Sequence, residues 1–291
     1  MRHPDGMGRV ARAAPPRRRA LGQHHLVAPS LCRPLVEYLE PSGRLVLEVG
    51  PGGGVLTRAL LASGARVLAI ELDRAWACHL RRALPESSLR LVAGDALALA
   101  WERLPAGARV AGNLPYAVAT PILSALLRAA RTLDRAAFLV QLEVAERLAA
   151  GPGSKAYGAL SVLVAARAEA RLLGRVGPRS FRPPPKVESA FVGLALHAPP
   201  LPEEEMPELE RLVHAAFAHR RKTLRNGLGR WLGTAAGEEL LARAGIPPGA
   251  RAEEVDLAGF VRLHLALRAI SGAAGRPAVP GAGAKITGRP G

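Results

Sequence analysis

The stretch LVLEVGPGGG, residues 45–54, decides the fold of this 291-residue chain. Its first five residues are apolar except for one, which predicts a buried strand, and its glycines predict a tight turn that brings the backbone close to a ligand. In an open parallel sheet, ligands lie beyond the carboxyl ends of the strands, which is where this turn falls. The dinucleotide fingerprint needs a glycine where the chain has Val55, so the spacing argues against a nicotinamide-dependent oxidoreductase.

Strand-like and helix-like segments alternate around this turn and after it. The predicted strands cover residues 44–49, 66–71, 89–93, 108–112 and 136–141, and the predicted helices cover residues 54–63, 74–84 and 121–131. Such alternation is typical of a parallel sheet with helices on both faces. The sequence therefore predicts an α/β, Rossmann-like domain over residues 20–199.

The pattern changes near residue 200. Residues 199–202 read Pro-Pro-Leu-Pro, and apolar residues then recur at helical spacing between positions 209 and 217. Three or four helices without strands are predicted, and they would form a small all-helical domain over residues 200–270. Residues 1–19 and 271–291 are rich in Pro, Gly, Arg or Ala and are predicted to be disordered tails.

Basic residues outnumber acidic residues by a wide margin. The chain carries 40 Lys and Arg against 24 Asp and Glu, a formal net charge of +16, and only four of the 40 are Lys. Arginine binds phosphate through two parallel hydrogen bonds and stacks on bases, so this balance favours a polyanionic partner. A GC-rich genome would explain Arg over Lys, but it does not explain the excess of base over acid.

Cysteine usage and the leader pattern predict a cytoplasmic protein. Cys32 and Cys78 lie far apart without metal-ligand spacing, which predicts reduced thiols and no metal site. No apolar run is long enough to span a membrane, and the basic residues 17–19 are not followed by the apolar core of a signal peptide. Residues 1–20 are Arg-rich with one acidic residue, so an organellar transit peptide stays an alternative, and Met7 is an alternative start.

Two acidic residues follow at the ends of the next two predicted strands. Glu71 lies about 20 residues after Gly50, a spacing at which a carboxylate meets ribose hydroxyls. Asp95 ends the third strand and is placed to reach an adenine amine. Each element alone is common, since a G-x-G-x-G stretch is often only a turn and an Asp after Gly often caps a helix. Together and in this order, they predict an S-adenosylmethionine site.

The tetrapeptide Asn113-Leu114-Pro115-Tyr116 follows the apolar strand at residues 108–112. It places an amide oxygen and a backbone carbonyl, which accept two N–H bonds, beside an aromatic face that stacks on a flat ring. This combination suits the exocyclic amine of a nucleobase and predicts methyl transfer to that amine. A turn between a strand and a helix, which Pro and Asn also favour, is the plainer interpretation of these four residues taken alone.

Several separate stretches resemble one family, the bacterial small-subunit ribosomal RNA adenine dimethyltransferases and their eukaryotic nucleolar relatives. The resemblance runs from about Leu21 to Leu267. It rests on LGQH at 21–24, the glycine motif at 48–57, PGSKAYG at 152–158, LSV at 160–162, FRPPPKVES at 181–189 and the basic helix at 216–226. The stretches from residue 152 onward are specific, and they favour this family over the enzymes that methylate large-subunit RNA and confer macrolide resistance.

The resemblance implies a role for each matching residue. S-adenosylmethionine would be held by Gln23, His24, Leu26, Gly50, Gly52, Glu71, Asp95 and Asn113. The target adenine would be held by Asn113, Leu114, Tyr116 and Phe181, with its ring between the two aromatic side chains. RNA would be bound by Arg182, Lys186, Arg220, Arg221, Lys222 and Arg225. A solvated helix face is the alternative interpretation of the basic run at residues 219–225.

Four positions depart from the pattern of the family. His25 stands where an aromatic or aliphatic residue is usual, Ala117 and Ala119 replace Asn and Ser, and Leu142 replaces a common Lys. These departures affect the expected geometry of the target pocket and not that of the cofactor site.

His264 lies in a helical pattern and is predicted to be a surface or partly packed side chain.

By this resemblance, the chain would dimethylate the N6 amines of two adjacent adenines in the 3′-terminal hairpin loop of small-subunit (16S) ribosomal RNA. Its partner would be an assembling 30S subunit, and it would act as a cytoplasmic monomer without a membrane. Two alternatives remain: a methyltransferase for large-subunit RNA, and a ribosome-assembly or transcription factor that binds RNA without turnover. The intact set of Gln23, Glu71, Asp95 and residues 113–116 argues against lost catalysis.

Overall fold

The computed structural model describes residues 24–84, 87–219 and 222–273, and these residues form two compact units. The first unit comprises the described residues up to Ala150 together with Val164–Pro199. The second comprises Gly151–Leu163 together with the described residues from Pro200 onward. The chain therefore enters the second unit twice, and the sequence pattern gave no sign of the first entry.

The first unit is built on a seven-stranded mixed sheet. Its strands, with one short pair outside the sheet, are β1 (His25–Leu26), β2 (Leu45–Val49), β3 (Arg66–Glu71), β4 (Leu89–Ala93), β5 (Ala108–Asn113), β6 (Leu133–Gln141), β7 (Ala168–Val176), β8 (Phe181–Arg182) and β9 (Ser189–Leu196). The sheet order is β4-β3-β2-β5-β6-β9-β7. The first five of these strands pair in parallel, whereas β9 is antiparallel to both β6 and β7.

The parallel core agrees with the sequence-based prediction, and the antiparallel end does not follow from it. Strands β2 and β5 lie inside the sheet and are almost entirely buried, as expected for strands that are covered on both faces. Strand β7 is an edge strand whose side chains are mostly exposed, among them Arg171 and Arg175. It lacks the buried apolar run that marks the inner strands, whereas its partner β9 has such a run, and neither strand was predicted from the sequence.

Helices pack on both sides of this sheet, as the α/β pattern predicts. They are α1 (Arg33–Leu39), α2 (Val55–Ala62), α3 (Arg74–Ala83), α4 (Ala119–Arg128) and α5 (Leu142–Leu148), and α6 (Ala159–Ala165) follows. Leu35, Leu60 and Leu139 are fully buried in one core cluster. Burying a side chain of this kind contributes roughly 1.5–3 kcal/mol, so the apolar helix faces hold the sheet together.

Strands β1 and β8 form a two-stranded antiparallel ladder beside the sheet. His25 pairs with Arg182 and Leu26 with Phe181, and the Val27 N–H donates to the Ser180 carbonyl at 3.0 Å. This ladder brings together the beginning of the described chain and the proline-rich segment before β9.

In the described residues after Pro200, the second unit contains the helices α7 (Met206–Phe217), α8 (Leu224–Leu232), α9 (Thr234–Ala244) and α10 (Leu257–Ala273), in agreement with the predicted all-helical region, and most of α6 belongs to this unit too. Helices α8 and α9 approach closely because glycine lies at their contact. A Cβ atom at Gly237 would stand 2.9 Å from the Gly229 nitrogen. Among the helices of the described ranges, none is both long and apolar enough to cross a membrane.

Residues 151–163 belong to this unit through specific hydrogen bonds and ring contacts. The Gly153 N–H donates to the Glu253 carbonyl at 2.7 Å, and the buried Tyr157 hydroxyl donates to the Val255 carbonyl at 2.9 Å. The Tyr157 ring also meets the ring of Phe217 edge-on at 6.1 Å. These contacts join a segment from the middle of the sequence to the C-terminal helices.

The prediction that His264 is a surface or partly packed residue is wrong. Its side chain is 0% exposed, and its Nε2 lies 2.8 Å from Glu205 Oε2. The hydrogen bond from His264, with a further contribution from Arg268, lowers the pKa of Glu205. Helical spacing alone did not reveal this contact because Glu205 lies 59 positions away in the sequence.

Candidate functional site

An open cleft lies beyond the carboxyl ends of the central parallel strands. It has a volume of about 1100 Å³, including the part open to solvent. Residues from the ends of β2, β3 and β5, from the turn after β4, and from the segment before β1 contribute to its walls. Among the predicted site residues, the cleft brings together His24, Gly50, Gly52, Glu71, Asp95, Asn113, Leu114 and Tyr116.

The glycine turn adopts backbone conformations that side chains oppose. Gly50, Gly52 and Gly54 have φ angles of +68°, +50° and +77°. A Cβ atom at Gly52 would also stand 2.4 Å from Cε1 of the His25 ring. Glycine is therefore favoured at position 52 for two reasons, the left-handed φ and the close approach of the His25 imidazole, which itself lines the cleft.

The side chain of Glu71 holds this turn in place through hydrogen bonds to backbone N–H groups. Its Oε2 accepts the Gly52 N–H at 2.9 Å, and its Oε1 accepts the Asp73 N–H at 2.9 Å. Burial raises the pKa of Glu71, and these two hydrogen bonds partly offset that shift. Each carboxylate oxygen has a second lone pair, so Glu71 can hold the glycine turn and still accept a ligand hydroxyl.

Asp95 and three apolar side chains form the far wall. Asp95 Oδ1 accepts the Leu97 N–H at 2.9 Å, which caps a short 3₁₀ turn and fixes the carboxylate. Leu72 and Leu97 line the cleft with Ile70, and they are 59% and 45% exposed. Solvent-exposed apolar side chains can contact the flat face of an adenine, and the neighbouring carboxylate of Asp95 can accept a hydrogen bond from its amine. None of these three residues carries a motif of its own, although each lies close to Glu71 or Asp95 in the sequence.

Asn113 ends β5 with its amide in a defined orientation. Its Nδ2 donates to the His24 carbonyl at 2.8 Å, which leaves Oδ1 as the acceptor on the other side of the amide. The Leu114 N–H donates to the Leu139 carbonyl at 3.1 Å, so this turn is tied to β6. Two acceptors, Asn113 Oδ1 and the Leu114 carbonyl, therefore come from adjacent residues in the cleft wall.

Tyr116 is held by contacts at both of its ends. Its hydroxyl shares a hydrogen bond with Ser189 Oγ at 2.7 Å, and its ring centroid lies 5.6 Å from that of His24 with an interplanar angle of 30°. Burial raises the pKa of Tyr116, and the hydrogen bond to Ser189 partly offsets that shift. The tyrosine is thus neutral at physiological pH and offers a fixed aromatic face.

The structure does not bring Phe181 and Leu26 into the cleft. Phe181 is 1% exposed and Leu26 is 6% exposed, and both belong to the hydrophobic core cluster. The reason is the β1–β8 ladder, which turns this pair inward toward the helices. The predicted stacking of Phe181 on the target ring does not follow from this arrangement, and the ring that faces Tyr116 is His24.

Glu48 is a buried carboxyl group behind the glycine turn that the sequence analysis did not assign to the site. It is 1% exposed, and its Oε2 has no hydrogen-bond partner among the described residues. Burial raises the pKa of Glu48 to about 8, and the nearby Thr57 opposes that shift. Burial, with a contribution from Glu48, also raises the pKa of Cys32 to about 12, so this thiol is unreactive at neutral pH.

The predicted RNA-binding residues fall into three groups. Arg182 and Lys186 are exposed in the first unit, in β8 and in the loop after it. Lys222 and Arg225 are exposed in the second unit, where Arg225 Nε donates to Glu238 Oε1 at 2.6 Å. Arg220 and Arg221 lie outside the described residues, as do Gln23 of the cofactor set, residues 1–19 and residues 274–291.

The profile of the family described as ribosomal RNA adenine dimethylase matches residues 16–268. The chain belongs to this family. It is 45% identical to ribosomal RNA small subunit methyltransferase A of Methylococcus capsulatus over 84% of this chain and 96% of that protein. It is 40% identical to the protein of the same name from Bordetella avium over 87% of this chain and 95% of that protein.

Two solved structures are similar to this adenine dimethylase. The 23S rRNA methyltransferase ErmE aligns with a TM-score of 0.65 and 27% identity over 84% of this chain and 99% of ErmE. A dimethyladenosine transferase from Plasmodium falciparum aligns with a TM-score of 0.71 and 22% identity over 84% of this chain and 98% of that chain. The latter likeness concerns the fold alone.

The adenine dimethylase is an S-adenosylmethionine-dependent methyltransferase, and the cleft fits that cofactor. The left-handed glycine turn leaves backbone exposed to the ligand, and Glu71 offers lone pairs to hydroxyls. The apolar wall beside Asp95 accepts a purine ring. Within the ranges that the structure describes, no group of three or more His, Cys, Asp or Glu side chains is arranged to hold a metal ion.

Proposed function

We propose that this enzyme transfers methyl groups from S-adenosylmethionine to the N6 amines of two adjacent adenines in the 3′-terminal hairpin loop of small-subunit ribosomal RNA. The orientation of Asn113 carries the proposal. Because its Nδ2 is engaged by the His24 carbonyl, the cleft receives an amide oxygen beside the Leu114 carbonyl. Two acceptors side by side match the two N–H bonds of an aromatic amine and would repel a target that offers only lone pairs.

The protein contributes orientation more than acid–base chemistry. An adenine amine is a poor nucleophile because its lone pair is delocalised into the ring. Asn113 Oδ1 and the Leu114 carbonyl would accept its two protons and favour a more tetrahedral nitrogen, whose lone pair then points away from both acceptors. When bound, S-adenosylmethionine supplies a methyl group activated by a sulfonium, so no strong base is needed before transfer. Fixed alignment of this kind is worth several powers of ten in rate.

The base must leave its stack to reach this cleft, and Tyr116 would receive it. Base–aromatic stacking is worth on the order of 1–3 kcal/mol per base, which helps to offset the cost of flipping. The open shape of the cleft leaves room for a monomethylated amine to return with one N–H for the second transfer.

The relatives support the small subunit over the large one as the source of the RNA. The proteins that are 45% and 40% identical carry small-subunit names, whereas ErmE, named for 23S rRNA, is 27% identical.

We further propose that the substrate is an assembling 30S particle and that the enzyme binds it in the cytoplasm. Free thiols at Cys32 and Cys78 suit a reducing compartment.

Exposed basic residues would bind the phosphates around the target. Arg182 lies in β8 and Lys186 lies in the loop after it, and Lys222 is an exposed basic residue of the second unit. We expect a smaller contribution from Arg225, because its guanidinium already pairs with Glu238. Binding through several phosphate contacts weakens steeply with salt, so an affinity that is flat between 50 and roughly 200 mM salt would contradict this role.

The test uses 30S subunits from a strain that lacks the adenine dimethylation. The subunits are incubated with the protein and S-adenosylmethionine, and the RNA is digested and analysed by mass spectrometry. We expect dimethyladenosine in the 3′-terminal hairpin loop, formed about 10²- to 10³-fold more slowly by the Asn113→Ala variant. Large subunits and naked 16S RNA serve as matched alternative substrates.

Three results would revise the proposal in different ways. Dimethyladenosine in large-subunit RNA alone would move the substrate to the other subunit. Bound cofactor without product on any of these RNAs would indicate a different target. Failure to bind S-adenosylmethionine would indicate a factor that binds RNA without turnover.

A further inference from the structure

His24 lies where three segments of the first unit meet. Its Nδ1 is 2.8 Å from the Pro183 carbonyl oxygen in the segment after β8. Its own carbonyl accepts Asn113 Nδ2 at the end of β5, and its ring faces Tyr116. A carbonyl oxygen can only accept, so Nδ1 must carry a hydrogen that it donates to Pro183.

The contact between His24 and Asn113 decides which end of the amide enters the cleft. An asparagine side chain has a donor end and an acceptor end of nearly the same shape, and rotation by 180° exchanges them. The His24 carbonyl accepts only from the Nδ2 end. Without that carbonyl, the Nδ2 end could face the cleft and oppose the N–H bonds of an incoming amine.

The position of the His24 carbonyl depends in turn on the His24 ring. Residues 25–26 pair with β8 in a two-residue ladder, and the hydrogen bond from the Val27 N–H to the Ser180 carbonyl continues this pairing on the side away from His24. The Nδ1–Pro183 hydrogen bond extends this pairing by one residue toward the cleft, to the residue whose carbonyl holds Asn113. A donor at the Nδ1 position is therefore the contact that keeps the segment against Asn113.

We propose that His24 is a positioning residue for the methyl acceptor: its ring anchors the segment to Pro183, and its carbonyl sets the orientation of Asn113. This role lies on the target side of the cleft and is additional to the cofactor contact that the resemblance implies for His24. The positioning role rests on the proposed function in one respect, which is that the group that receives the methyl is an amine. The orientation of Asn113 can be measured without RNA and without cofactor.

The amino-acid composition makes that measurement selective. The chain contains two asparagines, Asn113 and Asn226. Labelling with ¹⁵N-asparagine therefore gives two side-chain amide groups in the wild-type NMR spectrum, and Asn226→Asp assigns them. A His24→Asn variant adds a third, which is identified by its absence from the wild-type spectrum. Asn226 is exposed in α8 and serves as an internal reference.

Two variants separate the donor from the bulk of the ring. His24→Asn keeps a side-chain N–H donor near the position of Nδ1, whereas His24→Leu keeps apolar volume and has no donor. In the unliganded protein, we expect Asn113 Nδ2–H to be protected from hydrogen exchange in the wild type and in His24→Asn. In His24→Leu the protection should be lost, while Asn226 stays the same in all three.

Activity provides the second readout. With 30S subunits, kcat of His24→Leu should fall on the order of 10- to 100-fold, the effect of misplacing a reacting group by about 1 Å. His24→Asn should recover most of that loss. The affinity for S-adenosylhomocysteine, measured by calorimetry, should change less than kcat does. Equal exchange of Asn113 in the wild type and His24→Leu would overturn the proposal, and so would a loss in His24→Asn as large as in His24→Leu.

Misfolding of a variant and failure of the proposed function can each be distinguished from failure of the positioning role of His24. Should His24→Leu not fold, the wild-type protein decides: a nuclear Overhauser effect between the Asn113 amide protons and the backbone protons of residues 24–25 supports the contact, and its absence rejects it. Should the wild type lack activity on every ribosomal RNA, dependence of the Asn113 amide on His24 would still support the positioning role, whereas the proposed function would fail.

Discussion

The two sides of the cleft are built in different ways. On the cofactor side, one carboxylate and a left-handed glycine turn are joined by backbone hydrogen bonds, all within residues 48–95. On the target side, Asn113 and Tyr116 are held by His24 and Ser189, which lie 89 and 73 positions away in the sequence. The contacts on the cofactor side therefore join residues that are close in sequence. The contacts on the target side form only when distant segments of the chain have come together.

The largest effect should come from the target side. Asn113→Ala removes the Oδ1 acceptor, and loss of one such preorganised group typically costs about 10²- to 10³-fold in kcat. Steady-state rates on 30S subunits measure this, with folding checked by circular dichroism. Asn226→Ala, which changes the other asparagine, should leave the rate unchanged. Retention of more than a tenth of the wild-type kcat would show that the amide is not part of the acceptor site.

The next effect tests the cofactor side. Gly52→Ala places a methyl group at a φ of +50° and 2.4 Å from the His25 ring. Backbone strain of this kind costs about 1–3 kcal/mol, which corresponds to roughly a 5- to 150-fold weaker affinity for S-adenosylhomocysteine if the turn moves. Calorimetry on the unloaded enzyme measures it.

Gly53→Ala is the matched control for that substitution. Gly53 does not have a positive φ, and a Cβ atom there would have Trp76 at an ordinary 3.8 Å. Its affinity should stay close to that of the wild type. Equal losses for the two variants would mean that the turn tolerates no side chain at all, and that strain at position 52 is not the cause.

A smaller effect should separate the two sides. Ser189→Ala removes the hydrogen-bond partner of the Tyr116 hydroxyl, a contact worth about 1 kcal/mol, or roughly fivefold in kcat/KM for RNA. Tyr116→Phe removes the same contact from its other end, so the double variant should lose little more than either single variant. S-adenosylhomocysteine affinity should not change. Additive losses in the double variant would show that the two hydroxyls act independently.

A separate test concerns the stability of the fold rather than the rate, and it addresses the buried Glu48. Its pKa is raised from 4.5 to about 8 in the folded protein, so the folded state keeps a proton that the unfolded chain releases. Glu48 therefore destabilises the fold progressively as pH rises from about 4.5 to about 8, and Glu48→Gln should flatten this decline. Urea unfolding at several pH values measures it. Glu71, whose pKa is also raised by burial, leaves a residual slope of the same sign.

The exposed Glu102 provides the control for this substitution. Glu102→Gln should leave the pH dependence of unfolding as it is in the wild type. A wild-type stability that stays constant from pH 5 to pH 8 would contradict the buried, proton-binding state of Glu48.

The difference between the two sides also explains which parts could be predicted from the sequence. Gly50, Gly52, Glu71 and Asp95 were identifiable because their spacing follows from successive parallel strands that end at one edge. The burial of Phe181 was not identifiable, because its motif does not indicate which way a strand in a two-residue ladder turns its side chains. The β1–β8 pairing buries Phe181 in the core and leaves His24 opposite Tyr116.

The misses elsewhere have the same physical origin. The antiparallel strands β7 and β9 are established by pairing across the sheet and not by an apolar pattern in β7 itself. The burial of His264 depends on Glu205, which is supplied by the start of another helix. Periodicity identifies elements that bury one face, but it does not identify the distant partner that makes a polar side chain stable inside.

The double entry of the chain into the second unit has a consequence for synthesis and for dissection. Tyr157 and Gly153 emerge from the ribosome long before Val255 and Glu253, their partners in that unit. The hydrogen bonds of Tyr157 and Gly153 to Val255 and Glu253 therefore cannot form until most of the chain has been synthesised. A fragment that begins at residue 200 would lack this segment altogether, so a cut at the proline-rich junction divides a folding unit and does not release an intact domain.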